Sequence, residues 1–597
     1  MTLTTRLDAW GAGWRGPLLA AFLALVAGLP GLTALPPLDR DEARFAEASA
    51  QMLESGDFVA PHFQDAPRFK KPVGIYWLQA LAVTTTSSLE DRAIWAYRLP
   101  SLLGAMLAAA ACAWGAAAFL RPGQALLAGG LLATGFLLST EADIAATDGL
   151  LCGAVTLAMA ALARMYLTAG ASPVQTESSE RGQFALESEV RSLIQRPRLS
   201  RANASGSGDG RTPARAVKAL FWVAFAVAVL VKGPVGPMVI GLTLISLCVW
   251  DRKIGWLRDL GWGWGLILTA LVVGPWAMAI TVATDGAFWG AAVGGDLAPK
   301  LVGDQEGHGA PPGFYLALAP LLLFPAAILL PAGLTVGWRA RAEPAVRFAV
   351  CWLVPTWLVF ELIPTKLVHY TLPLYGALAW LMARALSAPI ARTPRAIGAG
   401  LNLAAGVAFA GAIPAALQAL KYSSDAATAW AVLAGGLFLL AGAGGAVLFW
   451  RERTLPALMV AGAGAVAAHA VLIGALAPSL QPLWLSSRAA RALVLAGLSP
   501  RQGVVPGPVT VAGFEEPSLV FLLGADTVLG NADDAADAVV DGRPAIVEAR
   551  QEAAFQAALK ARLRTSTPAG AVAGLDYSNN QRDVLTLYRP ASRPGVR

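Results

Sequence analysis

Histidine and cysteine are scarce in this sequence, with four of each among 597 residues. The cysteines, Cys112, Cys152, Cys248 and Cys351, all fall inside apolar runs, which excludes a disulfide framework or zinc-ligand spacing and leaves them as small core residues. Charge is also thin, at 14% of residues against 56% hydrophobic, with a mean hydropathy of +0.55. The net charge of +7 does not indicate a nucleic-acid binder, because the basic residues sit mostly in short loops between apolar runs, where they set orientation in a membrane. The more polar C-terminal part, residues 479–597, has no cysteine, no histidine and no glycine-rich phosphate loop.

What is present is a series of apolar runs about 20 residues long, enough to cross a hydrocarbon core of about 30 Å. They lie near 16–35, 97–119, 123–140, 149–169, 216–232, 234–250, 260–281, 314–337, 348–363, 371–390, 397–419, 428–450 and 455–478, which predicts thirteen spans. Arg6 and Arg15 precede the first run, and the many later spans make it a retained transmembrane helix rather than a signal peptide. Alternate connections are basic: Arg121; Arg252, Lys253 and Arg258; Arg339, Arg341 and Arg347; Arg392 and Arg395; Arg451 and Arg453. The positive-inside rule makes these cytoplasmic. The intervening connections are then extracytoplasmic, including 36–96, where nine acids face six bases, and an odd number of spans puts 479–597 on that side too.

Residues 171–215, rich in Ser, Gly, Arg and Glu, are predicted to be a largely disordered cytoplasmic loop with one short helix near 183–195. Residues 479–597 read as a small α/β domain, with strands at Val509–Ala512, Ser518–Leu522, Ala545–Val547 and near Val584–Tyr588, and a helix over 551–563. Asp533, Asp534, Asp537 and Asp541 have the spacing of a solvated helix side rather than of a metal site.

The most informative stretch is 36–77. Its acids come first (Asp39, Asp41, Glu42, Glu47, with Arg44 among them), a Gly56-Asp57-Phe58 turn follows, and it closes with Lys70, Lys71-Pro72 and Tyr76-Trp77. Further charges fall at the same predicted side of later spans: Asp143 and Asp148; Lys232; Lys300, Asp304, Glu306 and His308; Lys366, His369 and Tyr370. Ionisable groups are costly inside a bilayer, so their convergence on one cavity at the outer face is the expectation.

Three ordered blocks, Asp41-Glu42-Ala43-Arg44-Phe45-Ala46-Glu47, Met52 to Pro61 and Lys71 to Trp77, resemble the first extracytoplasmic loop of the polyprenyl-phosphate-sugar glycosyltransferases with the C-type (GT-C) fold, in the branch of the lipid A aminoarabinose transferases and protein O-mannosyltransferases. Lys232-Gly233, and Lys366-Leu-Val-His-Tyr-Thr-Leu-Pro373, look like two further segments of that family. The resemblance implies a multi-pass inner-membrane transferase, mostly α, with residues 1–478 as the membrane domain and 479–597 as a periplasmic α/β domain. It implies an inverting transfer of a sugar, 4-amino-4-deoxy-L-arabinose or a hexose, from polyprenyl phosphate to lipid A, lipopolysaccharide or another envelope acceptor on the periplasmic side. Transfer to protein Ser or Thr is the alternative within the class, and a lipid-linked sugar flippase is the rival outside it.

By this resemblance Asp41 takes the acceptor proton, with Glu42 beside it and Arg44 ordering the loop; Lys71, Lys232, Lys366, Tyr370 and His308 bind the donor phosphate; and Asp148 and Asp143 orient the sugar or hold a divalent metal ion, the one cofactor left open. Other readings of the same residues stay open. Asp41 can pair with Arg44 or cap a helix over 42–53, Asp148 can cap the following span, and the lysines can anchor at the interface. Asp39 lies outside the motif, and Lys70 departs from it, since many relatives carry an acid or a small polar residue there.

Overall fold

A computed structural model of the chain describes residues 3–170, 215–303, 309–502 and 507–591. Among these residues eight helices are long and apolar enough to cross a membrane, or up to ten if each of two bent pairs is one span. Each of the thirteen apolar runs holds helix, but three fall outside that count. Arg215–Lys232 carries three cations within 18 residues, Val235–Asp251 has 17 residues, and Tyr375–Ala385 has 11. The predicted loop 171–215 lies outside the described residues but for Arg215, which opens a helix.

Helices used below are α1 (Leu3–Gly11), α2 (Arg15–Ala34), α3 (Asp41–Ser55), α4 (Ile94–Ala116), α5 (Pro122–Ala133), α6 (Asp148–Gly170), α7 (Arg215–Lys232) and α8 (Pro344–Leu362). The core of the bundle is α4 against α6. Gly104 and Gly153 let the two backbones touch: a Cβ on Gly153 would lie 2.5 Å from the Gly104 carbonyl oxygen. Such close approach is how helices associate where lipid removes the hydrophobic drive between them. α6 is thereby enclosed over most of its length, which fixes Asp148, its first residue, as a reference point for everything around it.

The polar stretch after α2 folds back over the bundle end. α3 packs on the helix Gly74–Thr86 and against the helix Pro517–Leu523 of the C-terminal part. The short hairpin His62–Phe63/Ala66–Pro67 follows it.

The C-terminal part forms a five-stranded sheet with β1 (Thr510–Ala512), β2 (Val528–Gly530), β3 (Ala545–Glu548), β4 (Pro568–Asp576) and β5 (Gln581–Tyr588), in the order β2-β1-β3-β5-β4. β1 is parallel to β2 and β3, and β5 is antiparallel to β3 and β4. Alternation of side chains splits it into two cores: Val511, Ile546, Leu585 and Leu587 pack on one face with Leu485 and Leu493, and Ala512, Val547 and Tyr588 on the other with Val539 and Phe555. The predicted strand Ser518–Leu522 is instead helix, Pro517–Leu523. Pro517 at its first turn presets the helical φ and loses no bond there, and burial on nearly every side removes the periodicity that would have told helix from strand. The acids of the helix Ala532–Val540 behave as expected, with Asp533 and Asp537 exposed and paired with Arg562.

This small domain grips the loop around α3. The Asp39 backbone N–H donates to Tyr577 Oη at 2.6 Å, and Asp39 Oδ1 accepts from the Ser518 N–H at 3.2 Å. Gln64 Nε2 reaches the Ala525 and Thr527 carbonyls at 3.1 and 2.5 Å, and Phe521 packs edge-on against Tyr97.

Candidate active site

The start of α3 is set by one buried ion pair. Glu42 takes two bonds from Arg98 of α4, at 2.8 and 2.7 Å, and accepts the backbone N–H groups of Leu38 and Ala145 at 2.8 and 2.7 Å. Arg98 also donates to the carbonyls of Gly31, Leu32, Leu35 and Pro36. A buried charge pair is tolerable when its remaining polar atoms are bonded, as these are. Glu42, grouped in sequence with the catalytic residues, thus has both oxygens committed to holding the end of α2, the loop and α3 together. Its consequence is the placement of Asp41.

Asp41 does not cap the helix. Arg40 is the N-cap residue, at φ +64°, and Asp41 is the first helical residue, its side chain 73% exposed. Its nearest cation is Arg68, at 3.8 Å, rather than Arg44. Arg44, expected to order the loop, makes no ion pair among the described residues; Arg98 and the buried Arg68, which stacks over Phe45, hold the loop instead.

Asp41 faces a cavity of about 310 Å³ lined by Asp39, Asp41, Glu42, Arg44, Arg68, Lys70, Lys71, Glu141, Asp148, Lys232, Asp296, Lys300, His369 and Tyr370, among others. A second, apolar groove of about 430 Å³ runs on from it between Phe288, Trp289, Val293, Met238, Phe360, Ile363 and Pro373. The two share Lys70, Lys71, Asp148, Lys232, Asp296, Lys300 and Tyr370, so the cations stand at the junction.

At that junction the lysines are arranged by carboxylates. Lys71 and Lys300 bracket Asp296 at 2.7 and 2.8 Å. Burial pulls the Lys71 ammonium down to about 8, against the opposing pull of Asp296. Lys232, the last residue of α7, lies 2.5 Å from Asp148 and 5.7 Å from the centre of the Tyr370 ring. His369 sits between two acids, Nδ1 at 3.5 Å from Glu141 and Nε2 at 3.8 Å from Asp148.

Glu141, Asp148 and His369 offer donor atoms within 4.8 Å of one another, and are the group among the described residues with the composition of a divalent-metal site. Their arrangement fits a metal poorly: the two imidazole nitrogens are each turned to a different carboxylate, and an ammonium already neutralises Asp148.

Of the residues singled out in sequence, Asp41, Glu42, Arg44, Lys71, Asp148, Lys232 and Tyr370 line the one cavity. Two do not. Lys366 turns back to donate to the carbonyls of Phe360, Glu361 and Ile363 at the end of α8, and lines neither space. Asp143 is buried beside Gly31 and lines neither space; among the described residues no side chain bonds to either of its oxygens. Both depart from the phosphate and sugar roles expected of them, because in each case the local chain turn points the side chain elsewhere. His308 lies outside the described residues. Missed in the sequence were Asp296, Glu141 and Arg98; an acid at the end of an apolar run, as at Glu141, was the available signal.

No profile of a known protein family matches the chain. A curated undecaprenyl phosphate-alpha-4-amino-4-deoxy-L-arabinose arabinosyl transferase of Pectobacterium carotovorum is 29% identical over 379 residues, 63% of this chain and 60% of that protein. A protein of the same description from Pseudomonas paraeruginosa is 29% identical over 364 residues, 60% of this chain and 58% of its own length. The match thus spans about 60% of the length of these curated relatives. The crystal structure of ArnT from Cupriavidus metallidurans bound to undecaprenyl phosphate superposes with a TM-score of 0.71 at 19% identity, over 95% of this chain and 97% of that one. This multi-span membrane chain, small C-terminal sheet domain included, has the fold of ArnT.

Proposed function

We propose that this chain is an integral-membrane glycosyltransferase that moves a sugar from a polyprenyl-phosphate donor to lipid A or another envelope acceptor at the face carrying the small domain, the periplasmic face. The observation that supports this reading best is the cation cluster of Lys71, Lys232 and Lys300 at the junction of an apolar groove and a polar cavity, with the exposed carboxylate of Asp41 lining the same cavity. A polyprenyl phosphate needs an apolar slot for its chain and positive charge where the slot meets water. The names of the curated relatives, and the lipid bound in the ArnT crystal structure, point to the same donor chemistry.

In the proposed step an acceptor oxygen attacks the anomeric carbon from the side opposite the phosphate. The bond from that carbon to the phosphate oxygen breaks, its electron pair leaves with the lipid phosphate, and the configuration inverts. Lys71, with Lys232 and Lys300, meets the charge that grows on the leaving phosphate, an electrostatic task suited to preset cations away from bulk water. Asp41 takes the proton of an acceptor hydroxyl, and Arg44 is free to hold an anionic part of the acceptor. For an acceptor that is itself a phosphate, no proton needs removal and Asp41 acts by position. Glu42 and Asp148 orient Asp41 and Lys232. No cofactor is required in this scheme. Glu141, Asp148 and His369 are the residues that would hold a divalent ion, and activity surviving EDTA supports transfer without one.

The test compares glycolipids and released envelope glycans, by mass spectrometry, in cells with the wild-type chain, with no chain and with Asp41→Asn. Loss of one sugar mass from an acceptor, with accumulation of the polyprenyl-phosphate sugar, in both the null and Asp41→Asn cells is the expected result. Loss confined to Ser- or Thr-linked glycans makes the acceptor protein, and unchanged glycans with donor retained on the inner leaflet make the chain a flippase.

A further inference from the structure

At the opposite end of the bundle a second open cavity, of about 740 Å³, lies where the elbow between α1 and α2 meets the end of α4, the start of α5 and the last part of α6. Arg164 is 16 residues along α6 from Asp148, so it stands roughly 24 Å from the cation cluster, near the far edge of a hydrocarbon core about 30 Å thick. The walls are Trp14, Leu18, Trp114, Leu120 and Pro122, and among the described residues Arg164 is the single ionisable one lining the space. Trp14, the residue before α2, and Leu18 on its first turn are 71% and 56% exposed, so the mouth opens outward from the bundle, towards lipid.

The walls are held in place. Gly11 lies against Pro122 so closely that a Cβ would fall 2.0 Å from the proline carbonyl oxygen, which pins the elbow to α5. The Arg164 guanidinium stacks over the Trp114 ring, 4.4 Å from its centre, and donates from Nη2 to the Trp114 carbonyl at 2.6 Å. No carboxylate pairs with it among the described residues. The other partly buried arginines of this end do pair: Arg347 with Asp251, Arg384 with Glu343 and Arg395 with Glu452. Among the described residues, then, the Arg164 charge has no carboxylate beside it in this apolar space.

We propose that this cavity binds a membrane glycerophospholipid of net negative charge, with Arg164 donating to a phosphodiester that no headgroup ammonium neutralises and the acyl chains running along Trp14 and Leu18. Guanidinium suits a phosphate through paired, charge-assisted bonds. A tryptophan-lined mouth at the headgroup level suits the interface. The assignment does not depend on the transfer reaction proposed above.

The experiment is native mass spectrometry of the full chain in detergent, with palmitoyl-oleoyl phosphatidylglycerol or phosphatidylcholine added. The wild type should retain one phosphatidylglycerol under activation that strips phosphatidylcholine. Arg164→Gln should lower that retention about tenfold, to the phosphatidylcholine level, and Arg164→Lys should restore part of it. Should Arg164→Gln fail to fold, Trp14→Ser, at an exposed position, is expected to shorten retention while leaving the size-exclusion profile unchanged. Equal retention of the two lipids overturns the proposal, as does full retention by Arg164→Gln. Displacement by soluble glycerol phosphate would make it a free-phosphate site, and displacement by undecaprenyl phosphate alone would make it a second donor site; either result overturns the phospholipid assignment.

Discussion

The two walls of the cavity hold their charges in opposite ways. On the groove side, Lys71 and Lys232 are drawn into place by carboxylates on other parts of the fold, Asp296 and Asp148, Lys300 pairs with Asp296 four residues before it, and all three stand partly buried. On the side of the small domain, Asp41 stands 73% exposed with a single cation at 3.8 Å, while its neighbour Glu42 is completely enclosed. Fixed cations suit a charge that always appears at one place, as the leaving phosphate does in the proposed transfer. A loosely held carboxylate suits an acceptor that arrives from outside and must be met where its reacting oxygen comes to rest.

Asp41→Asn is the severest test of that contrast. It removes the proposed base but no buried contact, so turnover with a hydroxyl acceptor should fall by about 10²–10⁴, while donor affinity and thermal stability stay unchanged. Single-turnover kinetics with donor in excess reads the first, and donor titration the second. An equal loss of donor affinity would mean that Asp41 serves the lysine wall and that the two walls are not separate.

Much of this cavity is legible in the chain before folding. Asp148, Lys232 and Tyr370 lie at ends of apolar runs, and Asp41 and Lys71 in the polar loop after the first run, all on one predicted side, where an unpaired charge is costly and a shared cavity removes the cost. What sequence could not yield is which charge meets which. Glu42 and Arg98 are 56 residues apart and Lys71 and Asp296 are 225 apart, and no local periodicity links them. Lys232 and Lys366 look alike in sequence, each a lysine at the end of an apolar run, and the direction of the next turn alone separates a cavity residue from a helix cap. The strands of the small domain at 510–512, 545–548 and 581–588 were readable from their β-branched residues, whereas 528–530 is too short and 568–576 too rich in alanine and glycine to stand out.

On the lysine wall, Lys71→Met should weaken donor binding about 10- to 100-fold, the worth of one charge-assisted hydrogen bond of about 1.5–3 kcal/mol. The wild type carries its own test. Because burial depresses Lys71 to about 8, its ammonium is present at pH 7 and is lost as the pH rises through 8. Donor affinity should therefore fall above pH 8, by about tenfold per unit while Lys71 dominates, and Lys71→Arg should be flat over the same range, since arginine keeps its charge. A wild-type profile that is level to pH 9.5 would give the phosphate to Lys232 and Lys300 instead.

The acid wall has a pH dependence of its own, of smaller size. Burial raises Asp39 to about 6 and Glu516 to about 7 where the small domain meets the loop. The Ser578 hydroxyl touches both Glu516 and Asp576, which ties the Gln581–Tyr588 hairpin end to the helix Pro517–Leu523 beside Asp39. Acids raised in the docked state favour docking at low pH; that contribution is complete below about 4, the ordinary carboxylate value, and is lost as the pH rises through 6 to 7. Hydrogen exchange of residues 39–44 should quicken between pH 5.5 and 8 beyond the intrinsic rate, and Glu516→Gln should reduce the change. Exchange that follows the intrinsic rate alone would leave the small domain as a fixed wall.

The smallest effect on catalysis is expected at Lys366, and it separates charge near the cavity from charge that lines it. Its ammonium is buried against three carbonyls that end α8 and lies 5.8 Å from the Tyr315 ring centre. A cation there is favoured by the negative end of the helix and satisfies oxygens that have no partner within it. Lys366→Met keeps the length of the side chain and removes the donors, so stability should drop by about 1–2 kcal/mol, seen as a lower melting temperature in detergent. Donor affinity should remain within about twofold of wild type, since the charge is turned away from both the cavity and the groove. A tenfold rise in donor KM with an unchanged melting temperature would reverse the assignment, bring Lys366 into the lysine wall, and show that the end of α8 rearranges when the donor binds.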